Sequence, residues 1–135
     1  MSKQIFINLP VADLAKAKDF YTAIGHSINP KFSDDNAACV VISDSSCVML
    51  LVHPVFQGFT SKSICSTATH IEALLALSTE SRADVDAVME RALAAGGKEP
   101  SPARDLGFMY QRTFEDLDGH TWEIFYMDEA AFPGT

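Results

Sequence analysis

The stretch NLPVADLAKAKDFYTAIG, Asn8 to Gly25, packs a strand end, a helix cap, a helical stripe and a helix stop into one short run. The residues before it, from Gln4, are rich in apolar side chains, and Pro10 offers no N–H to a ladder, so a strand ending there is expected. Asp13 then suits a helix N-cap. Leu14, Ala17, Phe20, Tyr21 and Ile24 recur at helical spacing, and Gly25 supplies the left-handed residue that ends such a helix. The segment is a β-α unit.

Working outward, His26 to Phe32 reads as extended and Ser33-Asp34-Asp35-Asn36 as a turn. Two apolar runs follow, Ala37 to Ser43 and Cys47 to Val52, and Asp44-Ser45-Ser46 between them signals a hairpin. The second half repeats the order. Ala73 to Ser78 is a strand, Ser81 with Asp84 resembles a capping box, and Val85, Val88, Met89, Ala92 and Ala95 form a helical stripe closed by Gly96-Gly97. Lys98 to Pro102 is read as a short extended piece and Gly107 to Phe114 as a strand. Asp118-Gly119 makes a tight turn before the last strand, His120 to Met127. Between the halves, His53 to His70 is long for a structureless loop; such segments are often functional or carry a short helix of their own, and this one is expected to cover the mouth of a cavity. The tail after Met127, with Phe132, Pro133 and Gly134, is expected to fray.

Composition narrows the function. With 135 residues and 47% hydrophobic content, one domain with a packed core is the default. Ten Lys and Arg against 18 Asp and Glu give a net charge of −8, with the basic residues scattered, which argues against a nucleic-acid partner. No apolar run approaches the ~18 residues of a membrane span, and the start MSKQIFINLP lacks the regions of a signal peptide. A cytoplasmic protein without a membrane partner is expected. Cys39, Cys47 and Cys65, an odd set without C-x-x-C spacing, read as reduced thiols of the core. No nucleophile elbow, P-loop or dinucleotide-binding glycine pattern occurs.

The element order alone says α+β and would also suit a ferredoxin-like arrangement. Two strings add to it. Asn8 to Gly25, with its F-Y pair and closing glycine, resembles the opening of a module of the vicinal oxygen chelate superfamily, which joins glyoxalases, bleomycin-resistance proteins and extradiol dioxygenases. FEDLDGHTWEI, Phe114 to Ile124, is similar to that superfamily's final hairpin. Within it, the likeness is nearest to bacterial proteins described as predicted lactoylglutathione lyases. The resemblance spans roughly residues 3 to 127. It implies two tandem βαβββ modules, 3–52 and 71–127, joined by 53–70, whose sheets curve around a small-molecule cavity, and it implies a homodimer.

The resemblance also implies four metal-ligand positions, on the first and last strands of each module. Here they fall on Phe6, on Met49 or Leu50, near Leu74, and on Glu123. Three of the four do not donate to a hard cation, so no cofactor is assigned, and a divalent metal would need His70 or Glu72 beside Glu123. Alternation along His120 to Met127 puts Glu123 and Phe125 on one face and Trp122, Ile124 and Tyr126 on the other. Both faces are largely apolar. A part-buried glutamate there suits proton transfer, a retained metal bond, or the binding of a cationic or hydroxyl-bearing ligand. Phe6, Asn8, Met49, Leu51 and Phe125 complete the expected lining, with Asn8 either bonding a ligand or tying down the turn at Pro10. Arg112 either anchors an anionic group or pairs with Glu115 or Asp116. His53, His26 and His120 read as rim or turn residues. Two functions remain open: a glyoxalase-like lyase with Glu123 as base or metal ligand, and a bleomycin-resistance-type binder that sequesters a small, cationic ligand. A cavity filled by its own side chains is the third reading.

Overall fold

The computed structural model describes residues 3–131. It divides after His70 into two compact units, each with the same β-α-β-β-β order. Phe132, Pro133 and Gly134 of the expected tail lie outside the described residues.

In the first unit, β1 (Ile5–Val11) runs parallel to β4 (Ser46–Val52), and β4, β3 (Ala37–Ser43) and β2 (Ser27–Asn29) follow as antiparallel neighbours, giving the order β1-β4-β3-β2. The helix α1 (Leu14–Ala23) packs on β3 and β4. Its amphipathic stripe explains why: Leu14, Ala17, Phe20 and Tyr21 are buried, with Phe20 and Tyr21 in edge contact at 5.3 Å. A short helix, α2 (His53–Gln57), follows β4 directly and packs against β1 and β4.

The second unit repeats this plan as β5 (Leu74–Ser78), α3 (Arg82–Ala94), β6 (Arg104–Asp105), β7 (Met109–Glu115) and β8 (Thr121–Met127), in sheet order β5-β8-β7-β6. Again the first and last strands are parallel neighbours. The chemistry of the helix ends repeats as well. Asp13 and Ser81 each accept the backbone N–H three residues on, at 3.1 Å. At the other end Gly25 and Gly96 take φ of 114° and 104°, and the residue after each glycine bonds back to Tyr21 or Ala92, closing a Schellman turn.

Two local readings of the sequence are corrected. His26 to Phe32 is not extended throughout: Pro30–Phe32 forms a 3₁₀ turn, because Asn29 accepts from the Lys31 N–H and Pro30 is preset for a first helical position. Lys98 to Pro102 is not a strand. Lys98 makes one isolated bridge to Glu115, Pro100 and Pro102 have no N–H to give, and pairing resumes at Arg104–Asp105 against Gln111 and Tyr110.

The core of the second unit forms where α3 meets β7 and β8. Val85, Met89, Phe114 and Ile124 are buried there, and Phe114 stacks on Trp122 with ring centroids 6.3 Å apart. Truncating Phe114 to alanine removes a fully buried ring and is expected to cost about 3–5 kcal/mol. Urea denaturation checks this, and a loss below about 1 kcal/mol would place Phe114 outside the core.

Candidate functional site

Helix coverage divides each sheet into a core face and an open face. On β8, Trp122, Ile124 and Tyr126 alternate onto the α3 side, so Thr121, Glu123, Phe125 and Met127 take the opposite, open face. Register extends that face. Ala76 of β5 lies beside Glu123, and Thr113 of β7 lies opposite it. The half-buried Glu123 carboxylate accepts through Oε2 from the Gln111 side-chain amide at 3.0 Å. Oε1 takes no hydrogen bond from a described residue, and no described cation pairs with Glu123. The result is a carboxylate steadied by a neutral amide, with Thr121 and Phe125 as its same-face neighbours on β8, Thr113 opposite it and small Ala76 on its β5 side. Met127 and Met109 lie further along the same face.

The first unit presents a matching face. Phe6 and Asn8 of β1 register with Cys47 and Met49 of β4, and Leu51 continues the row. Leu74 and Ala76 register in the same way with Thr121 and Glu123, so Met49 is the counterpart of Glu123 and Asn8 of Ala76. Phe6, Asn8, Met49 and Leu51 therefore share one face, as alternation requires. Asn8 is exposed and its side chain bonds no described residue, so it does not tie down the Pro10 turn.

Arg112 is not part of this arrangement. It projects to the α3 side of β7, where it pairs with Glu99 at 2.8 Å and Asp86 at 3.0 Å, and not with Glu115 or Asp116. Asp116 is buried and shapes the turn by accepting the N–H groups of Asp118 and His120 at 2.9 Å. The Tyr110 hydroxyl donates to Asp86 at 2.7 Å, and Arg82 lies over the Tyr110 ring while bonding Asp105. This network borders an open cleft of about 530 Å³ between Glu99–Ala103, Tyr110 and Arg112. With two carboxylates on it, Arg112 has little charge to offer an anion. Its role is to fix the strand-side edge of the module to α3.

The expected extra metal donors lie outside the strands. His70 closes an irregular stretch, with its Nδ1 2.8 Å from the Thr69 hydroxyl, and both His70 and Glu72 precede β5, so strand alternation does not align them. Among the described residues, no three His, Cys, Asp or Glu side chains gather to hold a metal ion. His53 is exposed at the start of α2. His26 is half-buried after α1, and burial lowers its pKa. Sequence reasoning missed the partners of both polar groups, Gln111 for Glu123 and Asp86 with Glu99 for Arg112.

Comparison with known proteins defines the class. The bleomycin resistance protein-like N-terminal family model matches residues 3–43. Solved structures match over nearly the whole chain. A hypothetical protein from S. aureus is 27% identical with a TM-score of 0.78, covering 93% of this chain and 95% of that one. A glyoxylase/bleomycin resistance protein/dioxygenase domain from Frankia sp. EAN1pec is 25% identical, TM-score 0.68, covering 94% and 98%. A glyoxalase-related enzyme from Fulvimarina pelagi, 23% identical at TM-score 0.77, covers 93% and 88% and shares the fold. No curated protein sequence gives a significant match. Repeated βαβββ modules with these strand orders are the vicinal oxygen chelate fold. The chain has the fold of the glyoxalase/bleomycin-resistance/dioxygenase superfamily, and its residues 3–43 are similar to the bleomycin resistance protein-like N-terminal family.

The network at Arg112 predicts an acid response. The Arg112 guanidinium lowers the pKa of Glu99, and the Tyr110 hydroxyl with Arg112 lowers that of Asp86. Arg82 and the Gly107 N–H bring Asp105 from 3.8 down to about 2. A carboxylate with a depressed folded pKa stabilises the fold above its unfolded value and loses that contribution as pH falls through the folded one. Stability should therefore decline below about pH 4 toward about pH 2, and Arg112→Met should flatten the part due to Asp86 and Glu99. Because these groups are partly exposed, the substitution is expected to cost on the order of 1 kcal/mol at neutral pH. Denaturation midpoints across that range check it. An identical acid slope in wild type and R112M would contradict it.

Proposed function

We propose that this chain binds a small cationic or hydrogen-bond-donating ligand on the open face around Glu123, in the manner of a sequestering protein. The observation that carries this reading is the state of that carboxylate. It is half-buried beside apolar side chains, holds one neutral amide, and has no cation among the described residues to balance it. A charge partly removed from water is costly until it meets an opposite charge or a donor, so a ligand bringing either gains more here than at an exposed glutamate. Phe125 and the methionines supply apolar and aromatic surface for the body of such a ligand. The net charge of −8 favours a cation over an anion in long-range encounter.

The polar inventory also argues for binding ahead of lyase chemistry. A catalytic divalent site takes three protein ligands and an open position, whereas the counterpart of Glu123 is Met49 and its β5 neighbour is Ala76. Phe6, Asn8 and Met49 form a second, largely apolar face with one amide for orientation, whereas Leu51 beyond them is buried in the core.

The test is a thermal-shift and calorimetric screen with small aromatic amines, quaternary ammonium compounds and their neutral isosteres. Cationic members should bind, weaken as salt rises, and lose about tenfold or more, ~1.4 kcal/mol, in Glu123→Gln. Glu72→Gln, at an exposed position, should leave the same hits unchanged. Hits indifferent to E123Q would overturn the reading. So would metal-dependent turnover of a glyoxalase-type hemithioacetal that E123Q abolishes, which would instead establish a lyase.

A further inference from the structure

Matching positions of the two modules carry different donor chemistry. Around Glu123 the face offers oxygen and amide groups, Gln111 and Thr113. Around Met49 it offers sulfur. Cys39 of β3 lies directly opposite Met49, and Cys47 lies two residues before Met49 on the same face of β4. We propose that Cys39, Cys47 and Met49 form a binding site for a soft monovalent cation, Cu(I).

The strand geometry brings these atoms together. The Cys39 N–H donates to the Ser33 hydroxyl at 3.0 Å, and that hydroxyl donates to the Asn29 carbonyl at 2.7 Å, so the Cys39 backbone turns toward β2. Cys39 and Met49 are then a non-hydrogen-bonded pair of β3 and β4, the type whose Cα atoms approach to about 4.5 Å and whose side chains are closest. Cys47 is the diagonal neighbour of Cys39. Diagonal positions lie about 7–8 Å apart, at or beyond the reach of a disulfide. A metal held at about 2.3 Å by each sulfur spans a wider gap than a direct S–S bond does. Cys39 is buried and Cys47 and Met49 half-buried, with Phe6 and Asn8 as their β1 neighbours.

The donor set selects the ion. Thiolate and thioether sulfur together suit Cu(I), whereas zinc sites draw on cysteine, histidine and carboxylate. Binding replaces one proton on each thiol, so Cu(I) with two thiolates carries one negative charge and two protons leave. Each thiol gives up its proton on binding, so copper is taken more tightly as pH rises. Cys65, in the irregular stretch after α2, belongs to no such cluster and is an internal control.

The experiment is anaerobic titration of the reduced, full-length protein with Cu(I) against bicinchoninate, with stoichiometry read by native mass spectrometry. Wild type and Cys65→Ser should each hold stoichiometric Cu(I). Cys47→Ser should lose it, Cys39→Ser likewise, and Met49→Leu should yield copper at lower chelator concentration, with circular dichroism reporting the fold of each variant. Cys47 is half-buried, so C47S keeps the test decisive if C39S does not fold. Glu123→Gln should retain copper, which separates this site from the ligand surface of the other module. Copper retained by C47S, copper lost with C65S, or Zn(II) held as firmly as Cu(I) with M49L indifferent would each overturn the proposal.

Discussion

The parallel pairing of first and last strands within each module is the constraint on which the structure depends. It joins β1 to β4 and β5 to β8, and in doing so fixes which residue of the last strand sits beside which residue of the first. Because side chains alternate with a period of two, a slip of one residue would exchange the two faces completely. Register is held by burial: Leu9, Val11, Val48 and Leu50 in one sheet, and Phe114, Trp122 and Ile124 in the other, are withdrawn from solvent on the helix side. The polar and soft side chains of the opposite faces are placed by the same arithmetic.

That sorting separates two kinds of carboxylate. Asp86, Glu99 and Asp105 meet guanidinium groups, and their charges are spent on holding α3 and β6 to the edge of the sheet. Glu123 meets an amide. Gln111 orients it without neutralising it. The first module holds thioether and thiol sulfur at the corresponding places, so the chain carries two chemically distinct surfaces on one repeated framework.

Much of the framework is legible in the sequence, because it is written in short-range signals. Asp13, the Leu14-to-Ile24 stripe and Gly25 lie within one helix length of each other, and Asp118-Gly119 marks its hairpin locally. The face of Glu123 follows from alternation through a strand of uniform period. What escapes sequence reading depends on register or on distant partners. Arg112 pairs with residues 13 and 26 positions away, which no local pattern reveals. A two-residue strand such as β6 shows no periodicity. The approach of Cys39 to Met49 is hidden by a bulge: the register shifts between Val41 and Ser43, so Ile42 is the extra residue. Counting back from the Asp44-Ser45 turn without it sets Cys39 against Leu50, on the wrong face.

The orientation of Glu123 is the claim on which the functional reading stands, and nuclear Overhauser contacts in β7 and β8 measure it directly. The account requires contacts between the Gln111 side-chain amide protons and the Glu123 Cγ protons, together with contacts from the Trp122 ring to methyl groups of α3. Contacts from Glu123 to Val85 or Met89 of α3, with Trp122 beside Gln111, would mean that the strand is turned over and that the carboxylate belongs to the core.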